Sequence, residues 1–335
     1  MIVDESGRLV LSYGGWEYFD RTTWLLTGRV RPRGVVLNFQ GLSRTELGWH
    51  LVQNAEFDAG EFWAASFITM TAAGENRYVG IPVFPSRMFR HGSVFVRQGS
   101  SMERLEDLKG ARIAVGDYNV TAVVWMRGIM EEEAGVPPES VTWFVNNVSV
   151  HAMVAPPEGV PIVQVDSGTP EELLLAGEVD AVIIPNRPAS LGQESGVRRL
   201  LRNHQSVEED YYRRTGVFPI MHVVGVRRDI YEANHWIAAS LLSGFQEAKR
   251  LGLERVSDTS GPAVGLAWLG EALERQRAVL GDDPFAYGFA NNRHTLQVLC
   301  DYVFGQGLAR RRVDARELFA EETLGVEPGG GRALF

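Results

Sequence analysis

The chain has 335 residues, 45% of them hydrophobic, and a net charge of -9 at pH 7. That is more apolar material than one compact core usually accommodates, so two cores within one polypeptide are expected. Lys and Arg are scattered and no apolar run reaches the roughly 18 to 20 residues that span a bilayer, so neither nucleic acid nor a membrane is an expected partner.

Met-Ile-Val-Asp-Glu-Ser-Gly at the start lacks the basic and apolar regions of a secretory signal, and a cytoplasmic chain is the expectation. Leu9 to Tyr13 and Val35 to Phe39 read as strands, with Asp20-Arg21-Thr22 and a helix between them. Ser43-Arg44-Thr45-Glu46 has the spacing of a capping box opening a helix to about Asn54. Glu56 to Glu61 leads into a further helix, and Ile81 to Phe84 and Ser93 to Arg97 read as strands flanking the loop Pro85 to His91.

The texture then restarts, as at the opening of a second lobe. Leu105 to Gly110 is a short helix, Arg112 to Gly116 a strand and Thr121 to Glu133 a helix. Thr169-Pro170-Glu171-Glu172 combines a capping box with Pro at the first helical position, and Gly177 to Ile184 turns that helix into a strand. From Asp229 onward the chain is mainly helical, with Ile237, Leu241, Phe245 and Ala248 on one face and Leu266, Leu269, Leu273 and Leu280 on another. These helices need a sheet to cover, so the chain is expected to return to its first lobe. Residues 1–97 and 223–335 then form lobe I and residues 98–222 lobe II, with hinge strands near 92–97 and 222–227 and a ligand cleft between the lobes. Cys300, the lone cysteine, lies in an apolar helical run; it excludes an internal disulfide and reads as a buried core thiol. Ala155 to Pro161 is a Pro-rich loop, and the tail at Pro328 to Gly331 is expected to be disordered.

Several longer strings resemble one family: Asp20-Arg21-Thr22, Ile81-Pro82-Val83-Phe84-Pro85-Ser86-Arg87, Phe89-Arg90-His91, Thr121 to Gly128, Arg213 to His222 and Asp283-Pro284. Together they span nearly the whole chain, which is similar to the 4,5-dihydroxyphthalate decarboxylases, a branch of the type 2 periplasmic-binding-protein fold. The resemblance implies an α/β, two-lobed, solute-binding-protein-like architecture, each lobe a mostly parallel sheet flanked by helices. It implies a non-oxidative decarboxylase of a hydroxylated aromatic carboxylic acid. Val145 to His151 and Ala64-Ala65-Ser66 depart from the family's pattern, which bears on the ring substituents more than on the family.

Ligands of open parallel sheets bind at the carboxyl ends of strands, where these strings fall. A guanidinium offers a planar fork matched to a carboxylate, so Arg21, Arg87, Arg90, Arg127 and Arg187 are candidate grips on an anionic ring; surface or interlobe ion pairs are the alternative. Ser86, inside one matching string, joins the substrate-binding set. Gly116 to Thr121 precedes a helix, whose N-terminal donors suit an anion; Asn119 and Thr121 add side-chain donors or cap the helix. His91 and His222 lie at the proposed lobe crossings and are the candidate acid and base, in unassigned order, with Glu61 as helper at a catechol hydroxyl or as a helix cap. His50, His151, His204, His235 and His294 read as surface or core-edge groups.

Gly-x-Gly-x-x-Gly after a strand, the phosphate-binding loop, His-Glu-x-x-His and Cys-x-x-Cys are all lacking, so no cofactor is expected. A divalent ion held by residues from distant loops leaves no spacing signature and stays open. The alternative to an enzyme is a non-catalytic binding protein for a similar acid. Aromatic tracts at Trp16 to Phe19, Phe62-Trp63 and Trp143-Phe144 suit either cleft lining or a homo-oligomer contact.

Overall fold

In the computed structural model, residues 2–146 and 157–326 are described. Asn147 to His151, the first part of the Pro-rich loop and the tail at Pro328 to Gly331 lie outside the described residues.

Strands β1 (Ile2–Val3), β2 (Leu9–Gly15), β3 (Val35–Gly41), β4 (Ala59–Trp63) and β5 (Tyr78–Ile81) belong to a first sheet. A second sheet is built from β6 (Val94–Arg97), β7 (Arg112–Val115), β8 (Thr142–Asn146), β9 (Ile162–Val165), β10 (Ala181–Ile183) and β11 (Val197–Arg199), in the order β11-β6-β10-β7-β8-β9. The chain then rejoins the first sheet as β12 (His222–Arg227), antiparallel between β4 and β5. Within the first sheet β2 runs parallel to β3 and β4; within the second, β7 to β10 are parallel and β6 is antiparallel. Both sheets are therefore mixed, each carrying one strand that arrives from the other side.

The helices are α1 (Thr23–Leu26), α2 (Arg44–Leu47), α3 (Ala64–Ala73), α4 (Thr121–Ala134), α5 (Pro170–Ala176), α6 (His204–Thr215), α7 (Arg228–Ala233), α8 (Trp236–Ser257), α9 (Leu269–Leu280) and α10 (Arg293–Gly305). Local chemistry sets several of their ends. Thr169 and Glu172 form the reciprocal capping box before α5, Pro170 occupies its first turn, and Gly177 closes it at φ 80°. Ile237, Leu241, Phe245 and Ala248 on α8 are fully buried against Leu11, Tyr13, Val224 and Val226 of the first sheet. Thus α8 returns to cover that sheet. By contrast, α10 packs across α3 and α4, burying Leu296, Leu299 and Cys300 in a core cluster that runs through both halves.

Three expectations change. Ala59–Trp63, expected as a passage into a helix, is a strand buried on both faces, and the helix begins at Ala64. Val94–Arg97 pairs with β10 and β11 and so lies in the second sheet instead of closing the first lobe. Leu266 is exposed and Leu269 is the buried residue of α9, so that helix is largely a surface element.

The crossing itself is made by residues 82–93 and 216–221, which run antiparallel beside each other. Arg87 bridges to Ile220, the Met88 amide donates to the Pro219 carbonyl at 3.1 Å, and the Met221 amide donates to the Ser86 carbonyl at 2.9 Å. This double strand delivers Arg90 and His222 to the same place between the sheets.

Candidate active site

A cavity of about 680 Å³ opens between the sheets, within the range that holds a small aromatic ligand. One wall is apolar: Trp63, Val120, Ile183, Ile184 and Met221 line it. His222, Arg90, Arg187, Asp117, Thr121 and Glu171 supply the polar groups. The starts of α4 and α5 also face it, through Thr121 to Val123 and Thr169 to Glu171. Helix N-termini carry unpaired donors and a positive dipole end, so the start of α4 favours an anion, whereas at α5 Pro170 has no N–H and the Glu172 amide is taken by Thr169.

His222 opens β12 opposite Trp63 on β4, which places its ring beside Glu61 two residues away on the same face of β4. Its Nδ1 is hydrogen-bonded to Glu61 Oε1. Glu61 is 1% exposed and has further donors on both oxygens: Tyr18 Oη to Oε1 at 2.5 Å, and the Trp16 amide to Oε2 at 3.0 Å. With a carboxylate as the acceptor, the proton of a neutral His222 sits on Nδ1, leaving Nε2 as the lone-pair nitrogen. Burial and the charge of Glu61 push the Tyr18 phenol well above its ordinary range, so it stays protonated and acts as a donor. The arrangement is an oriented imidazole backed by a buried carboxylate, the general form of a base couple.

Asp20-Arg21-Thr22 shapes this site from behind. Thr22 is fully buried and its Oγ1 accepts from the Tyr18 amide at 2.8 Å, folding the loop after β2 so that Tyr18 reaches Glu61. Arg21 pairs with Asp20 at 2.9 Å and lies over the Tyr18 and Phe285 rings; it does not line the cavity. Thr121 lines the cavity but its Oγ1 accepts from the Ala65 amide at 3.1 Å, tying α4 to α3. Ala64 to Ser66, the departure from the family pattern, forms that first turn of α3 just behind the wall. Ser86 contributes its carbonyl to the crossing and side-chain contact to Tyr18. The Asn119 amide donates to Asp117 at 2.8 Å, and Asn119 lies beside the cavity instead of in its wall.

Of the five arginines, Arg90 and Arg187 line the cavity. Arg90 is buried against Met221 Sδ at 3.2 Å, and Arg187 is exposed at the rim. Arg87 and Arg127 point into the protein. Arg87 donates to Asn292 Oδ1 at 2.6 Å and to the Pro284 carbonyl at 3.3 Å; Arg127 donates to Gln306 Oε1 at 2.8 Å and to the Tyr118 carbonyl at 2.6 Å. Burial lowers both guanidiniums to about 10, which leaves them charged at neutral pH.

His91 is set apart from His222. It is 1% exposed, packs edge-on against Tyr211 at 5.0 Å and does not line the cavity; both ring nitrogens lack a partner among the described residues. Burial pushes its imidazole down to about 4, so it is neutral near pH 7. Tyr18, Asp117 and Glu171 are site groups that sequence reasoning did not single out. The signal available for Tyr18 was its place two residues before Asp20-Arg21-Thr22, in the loop at the carboxyl end of β2. Among the described residues no three His, Cys, Asp or Glu side chains converge as metal ligands. No helix of the described residues is long and apolar enough to cross a membrane.

No family model matches the chain. It is 35% identical over 317 residues to 4,5-dihydroxyphthalate decarboxylase of Comamonas testosteroni, covering 91% of this chain and 95% of that one. It is 34% identical over 196 residues to the protein of the same name from Pseudomonas putida, covering 56% and 76% respectively. Among solved structures, the periplasmic aliphatic sulphonate binding protein from Escherichia coli superposes with a TM-score of 0.51 at 15% identity, covering 92% of this chain and 91% of that one. The ligand-binding component of an ABC-type import system from Staphylococcus aureus gives 0.53 at 10% identity, covering 97% and 100%. These structural likenesses show the fold, that of periplasmic binding proteins, and the sequence likenesses show the family: the chain belongs to the 4,5-dihydroxyphthalate decarboxylases.

Proposed function

We propose that this chain is a carboxy-lyase that removes one carboxylate, as carbon dioxide, from a dihydroxylated aromatic dicarboxylic acid of the 4,5-dihydroxyphthalate type, the substrate in its relatives' names. The observation that carries the reading is the His222–Glu61 couple at the wall of a ring-sized cavity.

His222 Nε2 takes the proton of the ring hydroxyl para to the departing carboxylate, and Glu61 stabilises the imidazolium that forms. Electron density moves through the ring to the carboxyl-bearing carbon, which accepts a proton from solvent. The bond to the carboxylate then breaks, its electron pair restores aromaticity, and the oxygen recovers its proton from His222. One proton is consumed overall and no electrons are exchanged with any other molecule. Arg90, Arg187 and the start of α4 hold the carboxylates, while Trp63 and Met221 pack against the ring. His91, which lies away from the cavity, has no part in this scheme.

The cytoplasm is the compartment in this reading, and Cys300 fits it: a buried thiol, pushed up to about 12 by burial, asks nothing of an oxidising environment. The test is incubation of the purified protein with 4,5-dihydroxyphthalate, following carbon dioxide and the loss of dicarboxylate by chromatography. One carbon dioxide per ring consumed is expected. Tight binding with the dicarboxylate intact would instead make the chain a solute-binding protein.

A further inference from the structure

The loop that leaves β2 turns back over Glu61 and places two donors on it, one from the backbone and one from a side chain. The Trp16 amide occupies Oε2, and the Tyr18 hydroxyl shares Oε1 with His222 while standing 3.4 Å from His222 Nδ1. Two donors therefore meet at one carboxylate oxygen, and what one withdraws from it the other no longer receives. Tyr18 does not line the cavity. Its ring is held by the Thr22 fold of the loop and by Arg21 lying over it at 4.7 Å.

We propose that Tyr18 is a positioning residue that sets how tightly His222 holds its proton, acting through the shared oxygen of Glu61. The inference rests on the reading of His222 as the base. A donor on Glu61 Oε1 spreads the carboxylate's charge and weakens its hold on the imidazolium, so His222 reaches its neutral, proton-accepting form at a lower pH.

The other titratable groups around this oxygen are Tyr13 on β2 and Tyr287 after α9, both kept neutral by burial, and Arg21, paired with Asp20. Asp283 lies near Tyr287 and is paired with Lys249, and Arg90 shares the cavity wall with His222. None of these is altered by a change confined to the Tyr18 hydroxyl.

The test compares the wild type with Tyr18→Phe and with 3-fluorotyrosine at position 18, whose more acidic phenol is a stronger donor of nearly the same shape. Two quantities are read: the acid limb of kcat/KM, and the pH at which the His222 imidazole titrates in the ligand-free protein by NMR. The phenylalanine variant should move both to higher pH by about half a unit, roughly a threefold change in proton affinity, and the fluorinated residue should move both the other way. A merely structural role gives no such opposition of sign. Movement of the imidazole titration with a stationary rate profile keeps Tyr18 coupled to His222 but removes His222 as the base. If neither moves, the proposal for Tyr18 is overturned; should the phenylalanine variant fail to fold, the sign of the fluorinated variant alone decides.

Discussion

The Arg127 guanidinium lies over the Tyr118 ring, its central carbon 3.6 Å from the ring centroid, and thereby faces the interior and not the cavity. Its donors reach the Tyr118 carbonyl and Gln306, so it fastens the loop that carries Gly116, Asp117 and Val120 to the cavity wall. Replacing it leaves buried acceptors without donors. Arg127→Leu should lower stability by about 3 kcal/mol, read as a fall in the urea midpoint at unchanged slope. A variant of undiminished stability would mean that this guanidinium is not a structural tie.

Arg187 gives the opposite expectation. It is exposed at the rim and its side chain makes no hydrogen bond among the described residues, so its loss should cost binding and not stability. Arg187→Ala should raise KM about tenfold, the worth of one charge-assisted hydrogen bond of roughly 1.4 kcal/mol, with the thermal midpoint within a degree or two. An unchanged KM would take Arg187 out of the binding set.

Glu61 and His222 act as a unit in the proposed chemistry, so their losses should not add. Glu61→Gln and His222→Gln should each lower kcat by about 10²–10⁴-fold with little change in substrate affinity, and the double variant should be scarcely worse than either. Circular dichroism and substrate binding check that the fold and cavity survive. Near-normal turnover in either single variant contradicts the assignment of the couple.

His91 carries a prediction about acid stability. Burial lowers its folded-state value from 6.5 to about 4, so between those limits the unfolded chain binds a proton that the folded chain refuses. Stability attributable to this residue is therefore intact above pH 6.5 and falls as pH drops toward 4, by roughly 3 kcal/mol in all. His91→Phe should flatten that part of the stability-versus-pH curve and leave kcat within about threefold, because the ring does not line the cavity. Urea unfolding at pH 7.5 and pH 5 measures the first effect; a hundredfold loss of kcat would return His91 to the reaction.

What could be read from the sequence was whatever has a local cause. The capping box, proline and glycine around α5 act within a few residues of one another, and the α8 face repeats at helical spacing, so both are legible. The strand at Ala59–Trp63 is not, because Gly60 and Glu61 break its alternation and its neighbours β2 and β12 lie far away in sequence. Site residues failed for a similar reason. Composition shows that a guanidinium is present, but whether it meets a cavity or a Tyr ring depends on partners such as Gln306, 179 positions from Arg127. Arg90 and His91 are adjacent, and the crossing segment sends the first to the cavity and the second to Tyr211. Adjacency in the matching string therefore marked one site residue and one core residue alike.

The most direct measurement is a crystal structure of the His222→Gln variant with 4,5-dihydroxyphthalate bound. The account predicts the ring between the two sheets, its hydroxyl edge within about 3 Å of the position 222 side chain and its carboxylates toward Arg90, Arg187 and the start of α4. A ring bound the other way round, with carboxylates at position 222 and hydroxyls at the arginines, or bound outside this cavity, would contradict it.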